Sequence, residues 1–503
     1  MGLGKRVLAG VVWNQAAKIL EFVAVFLLSI VLARGLGTHG YGIYATLRSV
    51  WSVIFLLSAL GFNQALNTFL PQFQTRNEPG RMAFVLRKTL LWRFLLTAAL
   101  TGFLCFGAPF IGQMLHQREL TFYLRFSAVY LIVCSASDLL AYALYGTFKV
   151  REVALIKAGT IWFNLTLTYF LLRRGYGIEA VLFSLTLAWA GALLLLGWQT
   201  RFLWCTPREP LDLKPLYRFA LAAWGTNIVG HLLGKQADIL LMGYFNLPPS
   251  KIGYYNLAFT LNLALNTLLL AGLRETSLLG LSALHAQHGK RGLRQGWDLM
   301  VKLTVLVSLP MYLFVILFAP RLIPWFYGPD YLPAVGLVQS FFLFSLFARF
   351  WGGGANLTAL YSLNQARVSL TIRFLTGGLN LLWDCILIPL YGAMGAVIAT
   401  GGSNVCAIFL ERTAFLRLLP TARFPWSCLG KLFLAGLGAG GVIYSLGRHA
   451  VGFPWLEGIG FILLYLLFLY LLKPFTPQDG EVMARGNAQL GKWLRIFAKG
   501  TEP

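Results

Sequence analysis

Apolar stretches about 20 residues long recur along the whole chain, separated by short polar loops. A helix needs about 20 apolar residues to cross a bilayer, and lipid allows no unpaired backbone groups, which favours helices. Composition agrees, because 57% of the 503 residues are hydrophobic and 12% are charged, against roughly 25% charged in an average soluble domain. The sequence therefore predicts an all-α polytopic membrane protein and excludes soluble enzymes, fibrous proteins and disordered tails.

About fourteen spans can be placed. They lie near 8–33, 42–70, 89–113, 120–146, 154–172, 178–197, 218–245, 253–279, 297–319, 334–358, 368–390, 394–415, 428–447 and 455–473. This order predicts an N-terminal six-helix lobe at 1–197, a cytoplasmic linker at 198–217, a C-terminal six-helix lobe at 218–415 and two further transmembrane helices at 416–475. A basic amphipathic tail follows at 476–503, where apolar residues recur at helical spacing.

The net charge of +24 has two interpretations, a nucleic-acid partner or membrane orientation. No soluble domain is present to carry a nucleic-acid surface, so we predict no such partner. If the N-terminus is cytoplasmic, most cations fall in inner loops. The outer loops then hold only Arg34, Arg118, Arg173, Arg174, Lys251, Arg321 and Arg448. This bias predicts an inner-membrane-type protein with both termini in the cytoplasm.

The two halves of the chain carry matching short motifs. LARGLGTHGYGIYA and LMGYFNLPPSKIGYYNLA place Gly42 and Gly253 about 211 positions apart. Asn164 and Asn380 stand at a similar interval. Because each half has an even number of spans, we predict parallel lobes related by a pseudo-two-fold axis along the membrane normal.

These turns, with WFYGPDYLPA and IPLYGAMGAVIATGG, resemble those of bacterial polysaccharide-biosynthesis flippases. That family belongs to a superfamily that also contains lipid II flippases and multidrug and toxic compound extrusion transporters. The resemblance covers about residues 1–415. It implies two lobes that alternate access and move an oligosaccharide linked to undecaprenyl diphosphate to the outer leaflet of a bacterial inner membrane. A polysaccharide polymerase and glycosyltransferases of the same pathway are the expected partners, beside membrane lipids.

Charges at membrane depth cost about 2.5–3.5 kcal/mol each, so they are candidate functional groups. Steps of four, four and three predict one continuous polar stripe on the seventh span, and the first span repeats the pattern. The stripe residues are Asn14, Glu21, Asn227, His231 and Asp238. The cations predicted to bind an anionic head group are Lys18, Arg48, Lys235 and Arg274.

Structural pairing is the alternative interpretation for several of these charges, since Lys18 and Glu21 are three residues apart, as are Lys235 and Asp238. Asp138 and Asp384 lie deep in their spans. They are candidates for binding a coupling Na⁺ or H⁺, or for pairing with Arg on neighbouring helices. No cofactor or metal site is predicted, because the six cysteines form no CxxC pattern.

The leading hypothesis is therefore a flippase for a lipid-linked oligosaccharide. A cation-coupled multidrug exporter of the same architecture is the alternative, although such exporters favour acidic residues where this chain places basic ones. The loops are too short for a membrane glycosyltransferase and no P-loop pattern occurs, so we predict a transporter and not an enzyme.

Overall fold

The computed structural model describes residues 3–207, 209–232, 234–447, 454–486 and 488–498. These residues are almost entirely helical. The helices are α1 (Leu3–Ala59), α2 (Phe62–Thr75), α3 (Pro79–Met114), α4 (Leu120–Phe126), α5 (Ala128–Gly146), α6 (Val150–Arg173), α7 (Ile178–Gln199), α8 (Arg201–Cys205), α9 (Lys214–Leu232), α10 (Lys235–Tyr244), α11 (Pro249–Tyr327), α12 (Val335–Phe350), α13 (Ala355–Ser362), α14 (Ala366–Tyr391), α15 (Ala393–Leu418), α16 (Trp426–Gly447), α17 (Pro454–Leu472), α18 (Pro477–Gly486) and α19 (Ala488–Ile496). The predicted all-α fold class is confirmed.

Two of these helices, α1 and α11, each turn back at one glycine. Gly37 has φ 67° and Gly289 has φ 58°, which is the left-handed region that glycine adopts without a side-chain clash. Each turn separates two of the predicted spans. By length and composition, ten helices of the described part are able to cross a membrane, and Leu456–Leu472 is a shorter apolar helix. The chain is thus a multi-pass membrane protein, and the count of fourteen crossings remains a prediction.

Four predicted spans are interrupted instead of continuous. α1 gives way to α2 at Gly61, α4 to α5 at Ser127, α9 to α10 around Gly234, and α12 to α13 across the segment 351–354. Gly61 has φ 70° and Gly234 is extended, so neither continues a right-handed helix. Hydrophobicity along the chain does not register such breaks, because a single glycine barely changes it.

The helices cluster into two compact units, Met1–Asn256 and Leu257–Pro503. The boundary falls inside α11, so α9 and α10 belong to the N-terminal unit. In that unit α1 packs on α6, and α5 packs on α3 and α7. Leu66, Leu86 and Leu144 are fully buried in its core. In the C-terminal unit α14 packs on α15, and α16 packs on α17.

The two units repeat one polar contact at the interval that the sequence predicts. In the N-terminal unit, Ser184 donates a hydrogen bond to Asn164 Oδ1 at 3.0 Å. In the C-terminal unit, Ser403 donates to Asn380 Oδ1 at 3.1 Å. Each contact joins two consecutive helices, so the matching asparagines perform the same packing role in both halves.

The tail helices α18 and α19 pack on each other and are fastened to the C-terminal unit. Lys302 Nζ contacts Asp479 Oδ1 at 2.8 Å and Asp298 Oδ2 at 2.6 Å. Leu494 is buried, whereas Trp493 is exposed. One apolar side of α19 is therefore covered by protein, and the exposed side remains available for the predicted membrane surface.

Candidate functional site

Arg48 and Lys235 come together in the N-terminal unit, although 187 positions separate them in sequence. Arg48 lies on the second arm of α1 and Lys235 is the first residue of α10, and these two helices pack together. The two charges lie within electrostatic range of each other. Arg48 is exposed while residues 41–47 and 49–51 around it are buried. Its guanidinium therefore reaches accessible space from an otherwise packed stretch of helix.

Aromatic side chains surround the base of Arg48. Tyr44 and Tyr130 lie within electrostatic range of its guanidinium. The ring of Tyr130 lies 4.8 Å from that of Trp51, and Trp51 Nε1 donates to Ser127 Oγ at 2.9 Å. This packing fixes the helix that carries Arg48 against α5.

Lys235 lies beside one acid, Asp238, which is itself engaged elsewhere. Asp238 is fully buried and its Oδ2 accepts a hydrogen bond from the Tyr255 hydroxyl. Both Arg48 and Asp238 lie within electrostatic range of Lys235. The group holds two cations and one carboxylate, so its formal charge is positive and suits an anion.

The predicted continuous stripe on the seventh span is wrong. Gly234 has φ −122° and ψ −178°, an extended conformation that ends the helical register between α9 and α10. Asn227 is exposed on α9, and Asp238 is buried on α10. Residues on either side of the break therefore do not share one helix face, and Lys235 is instead displayed at the start of a new helix.

Several predicted site residues cannot be compared with the structure. The side chains of Asn14, Lys18, His231 and Arg274 lie outside the part of the structure whose side chains are described. Their roles stay predictions. Glu21 is exposed and lies within electrostatic range of Tyr145 on α5.

Asp138 forms a buried network with Arg93, a residue that the sequence analysis did not single out. Arg93 Nη2 contacts Asp138 Oδ2 at 3.0 Å, and Arg93 Nε donates to Ser135 Oγ at 2.9 Å. Asn63 Nδ2 donates to the same carboxylate oxygen at 2.9 Å. The sequence does contain a signal for Arg93, because it is a charged residue inside the predicted span 89–113. Of the two roles open for Asp138, the structure contains the pairing, and ion coupling remains a prediction.

Two further polar groups lie in the C-terminal unit. Asp384 is fully buried, and Asn380 Nδ2 donates to its Oδ2 at 3.1 Å. Arg349 donates to Asn266 Oδ1 at 2.8 Å and to the Gly353 carbonyl at 2.8 Å. The position of Arg349 near a span end predicts a side chain that extends to the interface, whereas the structure engages it inside the protein.

Among the described residues, no group of three or more His, Cys, Asp and Glu side chains could hold a metal ion. The described cysteines are all free thiols.

Comparisons with known proteins identify the family and the fold. The model of a family described as "Polysaccharide biosynthesis protein" matches residues 31–336. Among solved structures, lipid II flippase MurJ in an inward closed conformation matches with TM-score 0.73 and 16% identity over 92% of this chain and 98% of that chain. An inward-facing multidrug resistance MATE family transporter matches with TM-score 0.63 and 13% identity over 80% of this chain and 96% of that chain. No curated protein sequence matches the chain. At these identities the structural matches establish the fold.

Proposed function

The chain belongs to the family of polysaccharide biosynthesis proteins, and from this premise we propose that it is a flippase for an oligosaccharide linked to undecaprenyl diphosphate. The substrate moves from the cytoplasmic to the outer leaflet, and the expected partners are the polymerase and glycosyltransferases of the same pathway. The observation that carries the proposal is the juxtaposition of Arg48 and Lys235 within the membrane-spanning part of the N-terminal unit.

The proximity of Arg48 and Lys235 has an electrostatic cost that an anion would relieve. Two like charges close together at membrane depth repel each other more strongly than in water, because the local dielectric constant is low. A diphosphate between them replaces repulsion by two attractions. Arg supplies a planar fork for phosphate oxygens, and Lys supplies a flexible point charge. Asp238 limits the net charge, which keeps binding weak enough for release.

The glycine motifs of the two halves meet in a close contact beside the proposed site. A Cβ added at Gly42 would lie 1.7 Å from the Pro249 carbonyl oxygen, and one added at Gly253 would lie 2.7 Å from the Thr38 carbonyl oxygen. Both turns are at the predicted outer ends of their spans. All four residues belong to the N-terminal unit, so these contacts hold the second arm of α1 against the start of α11.

The experiment is transport by purified protein in proteoliposomes with a fluorescent undecaprenyl-diphosphate oligosaccharide. Loss of one charged hydrogen-bond partner costs about 1.5–3 kcal/mol, so Arg48→Ala and Lys235→Ala should each lower the initial rate about tenfold or more. Arg118→Ala and Lys251→Ala remove exposed cations of the same unit and should leave the rate unchanged. Wild-type rates for both site variants, with correct folding, would exclude a cationic substrate site.

A second measurement distinguishes the flippase from the alternative, a multidrug exporter. Expression of a flippase should leave susceptibility to cationic drugs unchanged, and deletion should abolish the surface polysaccharide. Drug resistance on expression, combined with normal polysaccharide after deletion, would favour the exporter.

A further inference from the structure

A cavity of about 630 Å³ lies beside α3 in the N-terminal unit, and its lining does not include Arg48 or Lys235. Its walls come from α3, α5 and the short helix α8. Arg87, Lys88 and Arg93 are among the lining residues, and the lining contains no acidic side chain. The cavity is therefore basic, and the proposed transport site does not use it.

The three cations differ in how far they are compensated. Arg93 lies at the floor and is paired with Asp138. Arg87 Nη2 donates to the carbonyls of Leu203 at 3.0 Å and Thr206 at 3.2 Å, which orients the guanidinium without a countercharge. Lys88 is exposed at the rim.

Apart from Thr97 and Ser135, the rest of the lining is apolar, and part of it is exposed on α3. Leu91 is 50% exposed and Phe94 is 48% exposed, and both also line the cavity. Trp204 lines the charged end, with the Arg87 guanidinium carbon 5.8 Å from its ring centre. Tryptophan is enriched where hydrocarbon meets head groups. The cavity thus combines a cationic end at the predicted inner interface with mainly apolar walls along the predicted spans.

We propose that this cavity binds an anionic phospholipid of the inner leaflet, with its phosphate at Arg87 and Lys88 and an acyl chain along Phe94 and Ala136. Basic pockets between transmembrane helices on the cytoplasmic side suit anionic head groups. Because Leu91 and Phe94 are exposed and also line the cavity, a molecule already in the bilayer reaches it without crossing water. The inference holds whichever substrate the protein transports.

The test uses full-length protein in nanodiscs that contain brominated-chain phosphatidylglycerol or brominated-chain phosphatidylcholine. Bromine quenches nearby tryptophan fluorescence, and the difference between wild type and Trp204→Phe isolates the signal of Trp204. Each cation near the membrane surface contributes about 1 kcal/mol, so wild type should prefer phosphatidylglycerol about fivefold or more. Lys88→Gln should lower this preference about fivefold.

Matched control variants distinguish effects of the cavity from general effects of surface charge and side-chain volume. Lys214→Gln removes an exposed cation on the same predicted side and should change nothing. Ala136→Phe fills the cavity and should abolish the lipid-dependent quenching of Trp204, whereas Ala99→Phe adds the same volume to the exposed face of α3 and should not.

Three results would overturn the proposal. Equal quenching by both lipids would exclude an anionic head group. If Lys88→Gln left the preference for phosphatidylglycerol unchanged while Ala136→Phe abolished quenching by both lipids, the cavity would bind acyl chains without recognising the head group. Displacement of phosphatidylglycerol by a stoichiometric amount of undecaprenyl diphosphate would make it a substrate site.

Discussion

The role of each charged residue within the membrane-spanning part depends on how many hydrogen-bond and ion-pair partners it has. Arg93 is 2% exposed and has Ser135, Asn63 and Asp138 as hydrogen-bond acceptors within 3.0 Å. Arg48 has no carboxylate in the same role among the described residues, and it is exposed. The first arginine is thus suited to hold helices together and the second to meet a ligand.

Removing one partner of the Arg93–Asp138 pair should destabilise the protein strongly. Asp138→Leu leaves the Arg93 charge buried without compensation, which costs about 3–5 kcal/mol. Arg93→Met with Asp138→Leu should recover most of that loss, and Arg118→Met should have no effect. Thermal unfolding in detergent measures the stability of each of these variants. If Asp138→Leu unfolds like wild type but transport loses its dependence on Na⁺ or H⁺, Asp138 is a coupling site instead.

At the scale of helices, the close approach of α1 and the start of α11 depends on glycine. Gly42 packs directly on the Pro249 backbone, and no side chain fits between them. Small residues allow such approaches between membrane helices, where packing and not water drives association. The repeated sequence motifs around Gly42 and Gly253 are explained by this contact.

Gly42→Ala should therefore lower the free energy of unfolding by about 1–3 kcal/mol, as overpacking does. Gly102→Ala on α3 meets no atom within 4 Å and should be neutral or stabilising, because alanine favours helix over glycine by about 1 kcal/mol. Both are measured by thermal unfolding in the same detergent. Equal unfolding temperatures for the two variants would mean that α1 and α11 have room to separate at this point.

At the scale of the whole molecule, the excess of basic residues predicts the orientation of the chain in the membrane. The loops alternate between many and few cations along the chain, and cations are retained on the cytoplasmic side. Helix positions alone are compatible with either orientation, so the alternation of charge gives the direction.

Orientation can be measured with single cysteines in a variant that lacks the six native ones. Arg118→Cys lies in a predicted outer loop and Arg423→Cys in a predicted inner loop, and both positions are exposed. In intact cells, a membrane-impermeant maleimide should label the first and should label the second only after permeabilisation. The reverse pattern would place the termini outside and invert the proposed direction of transport.

The sequence alone determines the all-α membrane class, the approximate spans and the repeated turns, because hydrophobic length and glycine position are local properties of the chain. It also identifies Arg48 and Lys235 as charges at membrane depth. Only the tertiary structure shows that these two charges lie close together. It also shows the break in the helix at Gly234 and the hydrogen bond that Tyr255 donates to Asp238. Such contacts join helices that are distant in sequence. They depend on how whole helices pack, which residue spacing along one helix does not encode.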